Sequence, residues 1–312
     1  MIATMNNNVK NNKKIVCIGN VAYDITIPVT TFPLENTKTR VDNRVACGGG
    51  PAATAAYLLG KWDMDVYFLG IVGNDFYGSK IKEEFKKVKV NIDYLQTSET
   101  IDTTSSVVIA NTSIGTRTVL SYRNPKLHMH PIKLDFKPDI ILLDGQEYEV
   151  SNKLLDEYKD AISIIDAGRV TDEIVDLCSK VNYIVCSFDF ATSITGIKAK
   201  YNDKFSLIKL YRKLDQMYKA IVVVTLEEHG CLFKDNNGYI NIMPSINVKA
   251  IDSTGAGDIF HGAFTYGIGR NLPFKEILKL SNIAGALSVT KIGSRYSVPT
   301  KKEVKEVYYG IK

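Results

Sequence analysis

Five short apolar runs recur along the chain: Ile15 to Gly19, Val66 to Val72, Ile140 to Asp144, Ile162 to Asp166 and Ile221 to Thr225. Each is continuous rather than alternating, as expected of strands buried on both faces. Helical stretches at Ser79–Lys87, 151–161 and 171–179 separate them. That rhythm predicts an α/β fold, a doubly wound and mainly parallel sheet flanked by helices. Ligands of such sheets bind beyond the carboxyl ends of the strands. Two patches break the rhythm, approximately 24–44 and 103–122, where Thr, Val, Pro and charged residues partly alternate. The second reads as strands Ser105–Ala110 and Thr116–Tyr122 joined by a turn at Ser113-Ile114-Gly115. Neither patch makes a stable sheet alone, but paired they form a small β-sheet lid.

The stretch with the most chemistry is Asp252 to Phe264, Asp-Ser-Thr-Gly-Ala-Gly-Asp-Ile-Phe-His-Gly-Ala-Phe. It is expected to follow a strand at Ile246–Ile251 and to open a helix. Gly255, Ala256 and Gly257 let the backbone amides of a helix start approach an anion, with the macrodipole adding positive potential. Asp258 stands beside that hole, where a carboxylate makes sense as a general base for a hydroxyl. The plain alternative is a helix-capping Asp behind a glycine-rich loop. Two earlier segments are candidates for the other ligand. The first run ends at Gly19-Asn20, with Asp24 placed to accept hydrogen bonds from hydroxyls. Cys47 to Ala56, with Gly48, Gly49 and Gly50, brings backbone close to a ligand before a helix begins. Asn74 or Asp75 is expected to cap the Ser79 helix, and Asp144 or Asp166 to orient a lysine, a water or a metal-bound water.

Taken together, these motifs resemble the ribokinase and phosphofructokinase-B family of carbohydrate kinases, over about residues 14–300 and in the family's order. The resemblance implies ATP-dependent phosphorylation of a hydroxyl, primary in the preferred reading, on a small sugar such as a ketohexose, sulfofructose or pentose. It makes Asp258 the base and Gly255, Ala256 and Gly257 the anion hole, with Asp24, Asn20, Gly49 and Gly50 holding the sugar. Thr54 stands where the family has Asn, which puts the usual sugar in question. The wording of Gly48 to Ala56, with His261, is most similar to the sulfofructose-kinase and ketohexokinase-like branch. A sulfosugar needs a cation, and Lys38, Arg40, Arg117 and Arg123 are candidates from the lid. On the nucleotide side the resemblance implies Thr225, Gly230, Asn282 and Gly285, although Glu227 replaces a family Gly. The carbonyls of Asp252 and Thr254, with the loop Lys291–Ser297, would hold a monovalent cation such as potassium. The family's Asn-x-x-Glu reads here as Ser187-Phe188-Asp189-Phe190, which leaves Asp189 as the carboxylate for magnesium through water. Two other readings stay open: a nucleoside kinase of the same fold, and a sensor that binds sugar or nucleotide without turnover.

Composition is consistent with this reading. The 312 residues suffice for one large α/β domain, expected over 14–312 behind a leader at 1–13 in which Met5 is an alternative start. A net charge of +5, scattered along the chain, does not make a nucleic-acid surface. No apolar segment reads as a signal peptide or membrane span. Cys17, Cys47, Cys178, Cys186 and Cys231 share no metal-ligand spacing and read as reduced core thiols of a cytoplasmic protein. The expected partners are a sugar, ATP and, through the lid, a second copy of the chain.

Overall fold

A computed structural model describes residues 13–310. The predicted leader therefore lies outside the described residues except for Lys13. The strands run β1 (Lys14–Ile18), β2 (Ala22–Val29), β3 (Val45–Gly49), β4 (Asp65–Gly73), β5 (Leu95–Ser98), β6 (Ser105–Asn111), β7 (Thr116–Tyr122), β8 (Ile140–Leu143), β9 (Ile162–Ala167), β10 (Tyr183–Ser187), β11 (Ile221–Thr225), β12 (Cys231–Lys234) and β13 (Ile240–Met243). The helices are α1 (Pro51–Lys61), α2 (Phe76–Lys87), α3 (Tyr148–Glu157), α4 (Asp172–Cys178), α5 (Phe188–Thr195), α6 (Lys204–Met217), α7 (Ala256–Gly269), α8 (Phe274–Ser288) and α9 (Lys301–Tyr308), with a single 3-10 turn at Glu227–His229.

The main sheet has the order β13-β12-β11-β10-β9-β8-β1-β4-β5, parallel from β11 to β5 and antiparallel at the β12–β13 edge. The apolar runs are continuous because alternate residues serve opposite faces. Ile15, Cys17 and Val185 enter one core with α1, α7 and α8, whereas Val16, Ile18, Ile184 and Cys186 enter the other with α3, α4 and α6. All five cysteines are buried and unpaired. Strand order reverses between β8 and β1, so the crevice at their carboxyl ends is the topological switch point.

A second sheet, β3-β2-β6-β7, is the predicted lid. It is recruited differently from the expectation. The patch 24–44 contributes only β2, while its residues 30–44 are irregular and the partner strand β3 comes from the glycine-rich segment. Asp24, at the start of that patch, lies within β2 opposite Cys47 and Ser106. The predicted strand at Ile246–Ile251 is absent, because the chain is irregular from Pro244 to Ala250. Its ladder partner is missing: β13 already occupies the sheet edge and ends at Met243.

Candidate active site

Helix α7 starts after the Asp252–Gly255 loop without any side-chain cap. Its N-cap is Gly255 at φ 78, a left-handed conformation that costs other residues strain. Asp258 lies within the first turn, so the capping alternative fails: the cap is three residues earlier. The uncapped amides are left for an anion. A Cβ built on Gly257 meets no heavy atom within 4 Å, which leaves space in front of that turn. Burial pushes the Asp258 carboxyl up to about 7, and the charge of Asp166 adds to this; His261 and Arg117 pull it down, and Asp24 raises it further. A carboxylate held there takes a proton far more readily than an exposed one.

Asp24 is buried in β2 beneath the lid. A Cβ on Gly49 would fall 1.9 Å from Asp24 Oδ2, so only glycine lets β3 pass this carboxylate. Ser294 Oγ lies 3.3 Å from Asp24 Oδ2 and 3.0 Å from the Gly48 carbonyl, its one hydrogen serving either acceptor. Burial raises the Asp24 carboxyl, against hydrogen bonds from Ser106 and Ser294. Asp252 accepts from the Thr254 amide and, at 2.9 Å, from the Gly293 amide, which binds the Asp252–Gly255 loop to the loop bearing Ser294. Sequence reading assigned the 291–297 loop only to a cation and missed Ser294. The signal was a lone serine after glycine, too common to single out.

Asn20 sits at the switch point. Its amide donates to Asp144 Oδ2 at 2.8 Å, and its side-chain oxygen accepts from Arg123 Nη1 at 2.9 Å. Asp144 also accepts from the amides of Ala52 and Gln146 and so caps α1 from a neighbouring strand. Burial pushes its carboxyl up to about 6 despite those bonds. Three backbone amides thus hold this carboxylate, which fixes Asn20 and the start of α1 around it. Asp75, not Asn74, caps α2, accepting from the Gly78 amide at 2.7 Å.

The Arg123 guanidinium donates to Glu147 at 2.7 Å, to the Leu127 carbonyl and to the Asn20 side chain, so its charge is already paired beside the site. Lys38 and Arg40 lie exposed in the irregular segment between β2 and β3. Arg117, from β7, is the lid cation that reaches the Asp252–Gly255 loop, donating to Ser253 Oγ at 2.8 Å. Thr54 is wholly buried in α1 and its hydroxyl has no partner among the described residues.

On the other flank, Thr225 ends β11 and donates to the Cys186 carbonyl. Gly230 turns the chain at φ 99, where a Cβ would meet the Met243 carbonyl. Glu227, standing where glycine was expected, holds a left-handed φ of 52. The backbone keeps the conformation glycine would supply. Asn282 donates its amide hydrogens to the Met243 and Pro244 carbonyls, so it braces the wall of this flank instead of presenting donors to a ligand. Gly285 lets α8 approach Ala256 of α7. Asp189 is exposed in the first turn of α5. No cluster of three or more potential metal ligands occurs among the described residues.

An uncapped helix start, a carboxylate of raised pKa beside it and a second buried carboxylate acting on it from the lid suit phosphoryl transfer to a hydroxyl. The chain matches the pfkB family of carbohydrate kinases across residues 12–301 and belongs to that family. It is a phosphotransferase acting on a sugar hydroxyl. A ribokinase of Haemophilus influenzae is 26% identical over 94% of this chain and 98% of its own length. One of Bacillus subtilis is 23% identical over 95% and 99%. In fold, the chain is similar to a putative ribokinase from Agrobacterium tumefaciens, with TM-score 0.85, 23% identity and coverage of 96% and 98%. Arabidopsis thaliana ribokinase complexed with ribose and ATP gives TM-score 0.80 at 21% identity, covering 95% and 98%. No described helix is long and apolar enough to cross a membrane.

Proposed function

We propose that the protein transfers the γ-phosphoryl group of ATP to a primary hydroxyl of a small, uncharged sugar, a pentose or ketohexose. The observation that carries this is Asp258, pushed up to about 7 beside the uncapped start of α7. The sugar lies between Asp24 and Asp258, with Asn20 and the Gly49–Gly50 backbone along its side. Asp258 takes the hydroxyl proton as the sugar oxygen forms its bond to phosphorus, and the amides after Gly255 hold the phosphoryl oxygens while ADP leaves. ATP supplies the phosphoryl group, and Asp189 is the carboxylate that would hold magnesium through a water, the ion then serving to neutralise phosphate charge. The carbonyls of Asp252 and Thr254 are the proposed holders of a potassium ion, and Thr225, Gly230 and Gly285 border the nucleotide. Arg123 being spent on Glu147 favours an uncharged acceptor over sulfofructose. The lid closes over the site: a Cβ on Gly115 in the β6–β7 turn would fall 2.5 Å from Ala250.

Val107, Leu120 and Tyr122 are exposed on the lid face opposite Arg117, a surface that suits a homodimer. The test of function is mass spectrometry of products from magnesium-ATP with a panel of pentoses, ketohexoses, sulfofructose and nucleosides. A phosphopentose or phosphoketohexose is expected. Phosphorylation of nucleosides alone, or binding with no phosphorylated product, contradicts the proposal.

A further inference from the structure

One pair of ionisable groups beneath Asp258 has no place in the transfer step itself. His261 lies one turn further along α7, and its side chain is 5% exposed. Its Nδ1 is 2.6 Å from the Gly257 carbonyl oxygen and 3.2 Å from Asp166 Oδ2. Its Nε2 is 2.9 Å from the Val185 carbonyl oxygen. Val185 and Asp166 are register partners on β10 and β9, so a single ring spans the helix and two strands. Carbonyl oxygens only accept hydrogen bonds, and one faces each ring nitrogen. Asp166, 13% exposed, stands against the Nδ1 edge of the ring, so the imidazole is held by the helix and both strands at once.

We propose that Asp166 and His261 are positioning residues whose contact clamps the first turn of α7, and with it Asp258, onto the ends of β9 and β10. Gly257 is the residue before Asp258, so the bond to its carbonyl fixes where the carboxylate and the neighbouring amides point. An error of about 1 Å in such a placement costs on the order of 10²-fold in rate. The pair also acts through its field. Asp166 from β9, His261 from α7, Arg117 from β7 and Asp24 from β2 all act on Asp258, and of the four Asp166 contributes most. Asp166 in turn is sensed by Asp144 from β8 and Cys186 from β10. The clamp thereby strengthens the base that it holds.

This inference rests on Asp258 being the base, and its test separates the two ideas. The pH profile of kcat/KM for sugar is measured for the wild type and Asp166→Asn. Asp258 must be unprotonated to act, so the wild-type value falls as pH drops through about 7. Replacing Asp166 removes the charge that most raises this carboxyl after burial, so the acid limb moves to lower pH by about one unit. A structural role alone would lower activity without moving the limb. An unmoved limb, or one moved to higher pH, in a folded Asp166→Asn protein overturns the field argument. Nitrogen NMR of the four histidines in the wild-type protein tests the clamp without any substitution. One ring should show both nitrogens hydrogen-bonded, a signature absent in His261→Gln. A His261 ring with a nitrogen free of any hydrogen bond overturns the clamp. Should Asp258→Asn keep wild-type kcat, the base assignment falls while the NMR result still judges the pair.

Discussion

Two glycines flank the proposed anion hole, and alanine at each should affect stability in opposite directions while affecting catalysis alike. At Gly255, φ is 78 and a Cβ would sit 3.1 Å from Ser294 Cβ. Left-handed backbone costs a residue with a Cβ about 1–2 kcal/mol, and displacing Ser294 adds to it. Gly255→Ala should therefore lower Tm by roughly 5 °C. At Gly257 the backbone is helical and the added methyl meets nothing within 4 Å. Glycine in a helix is worse than alanine by roughly 0.5–1 kcal/mol, so Gly257→Ala should hold or raise Tm, by up to about 2 °C. The methyl nevertheless occupies the space in front of the amides. Losing one such donor typically costs about 10²–10³-fold, and kcat/KM for ATP should fall by about 10². Calorimetry beside initial-rate kinetics reads both quantities on the same preparations. A Gly257→Ala protein with unaltered stability and unaltered kcat/KM for ATP would show that no phosphate approaches this turn.

The two lid arginines should separate just as cleanly. Arg123→Ala strands the Glu147 carboxylate, 3% exposed, and should destabilise by about 3–5 kcal/mol, read as a lower urea midpoint at unchanged m; an unmoved midpoint refutes the pairing. Arg117→Ala, at an exposed position, should leave that midpoint within error but move the acid limb of the pH profile to higher pH, since its charge holds the Asp258 carboxyl down. Glu227→Gly relieves a left-handed φ of 52 at the cost of a looser unfolded chain, so Tm should stay within about 2 °C while the KM for ATP falls with loss of a carboxylate beside the polyphosphate; a higher KM would place Glu227 on the ribose.

The scaffold could be read in the sequence because parallel strands buried on both faces leave long apolar runs. Ile221–Thr225 is reproduced residue for residue as β11, and Thr116–Tyr122 as β7. The short strands β5, β12 and β13 escaped, since runs of four residues are too brief to carry a readable periodicity. Asp258 was legible because small residues and a carboxylate at a helix start have few other uses. What stayed hidden depends on contacts distant in sequence. Nothing near Arg123 reveals that Glu147 consumes it, nor does anything near Asp166 point to His261, ninety-five residues on. Asn282 looked available for the nucleotide until Met243 and Pro244, about forty residues earlier, claimed its donors.

Asp258→Asn tests the central claim most directly. The substitution is nearly isosteric, and Asp258 is not the cap of α7, so folding and ATP affinity should persist. The measurement is kcat with saturating sugar and magnesium-ATP, taken beside ATP affinity and Tm. A fall of about 10²–10⁴-fold in kcat at preserved affinity and Tm is the predicted result; a folded variant turning over at the wild-type rate would contradict the account.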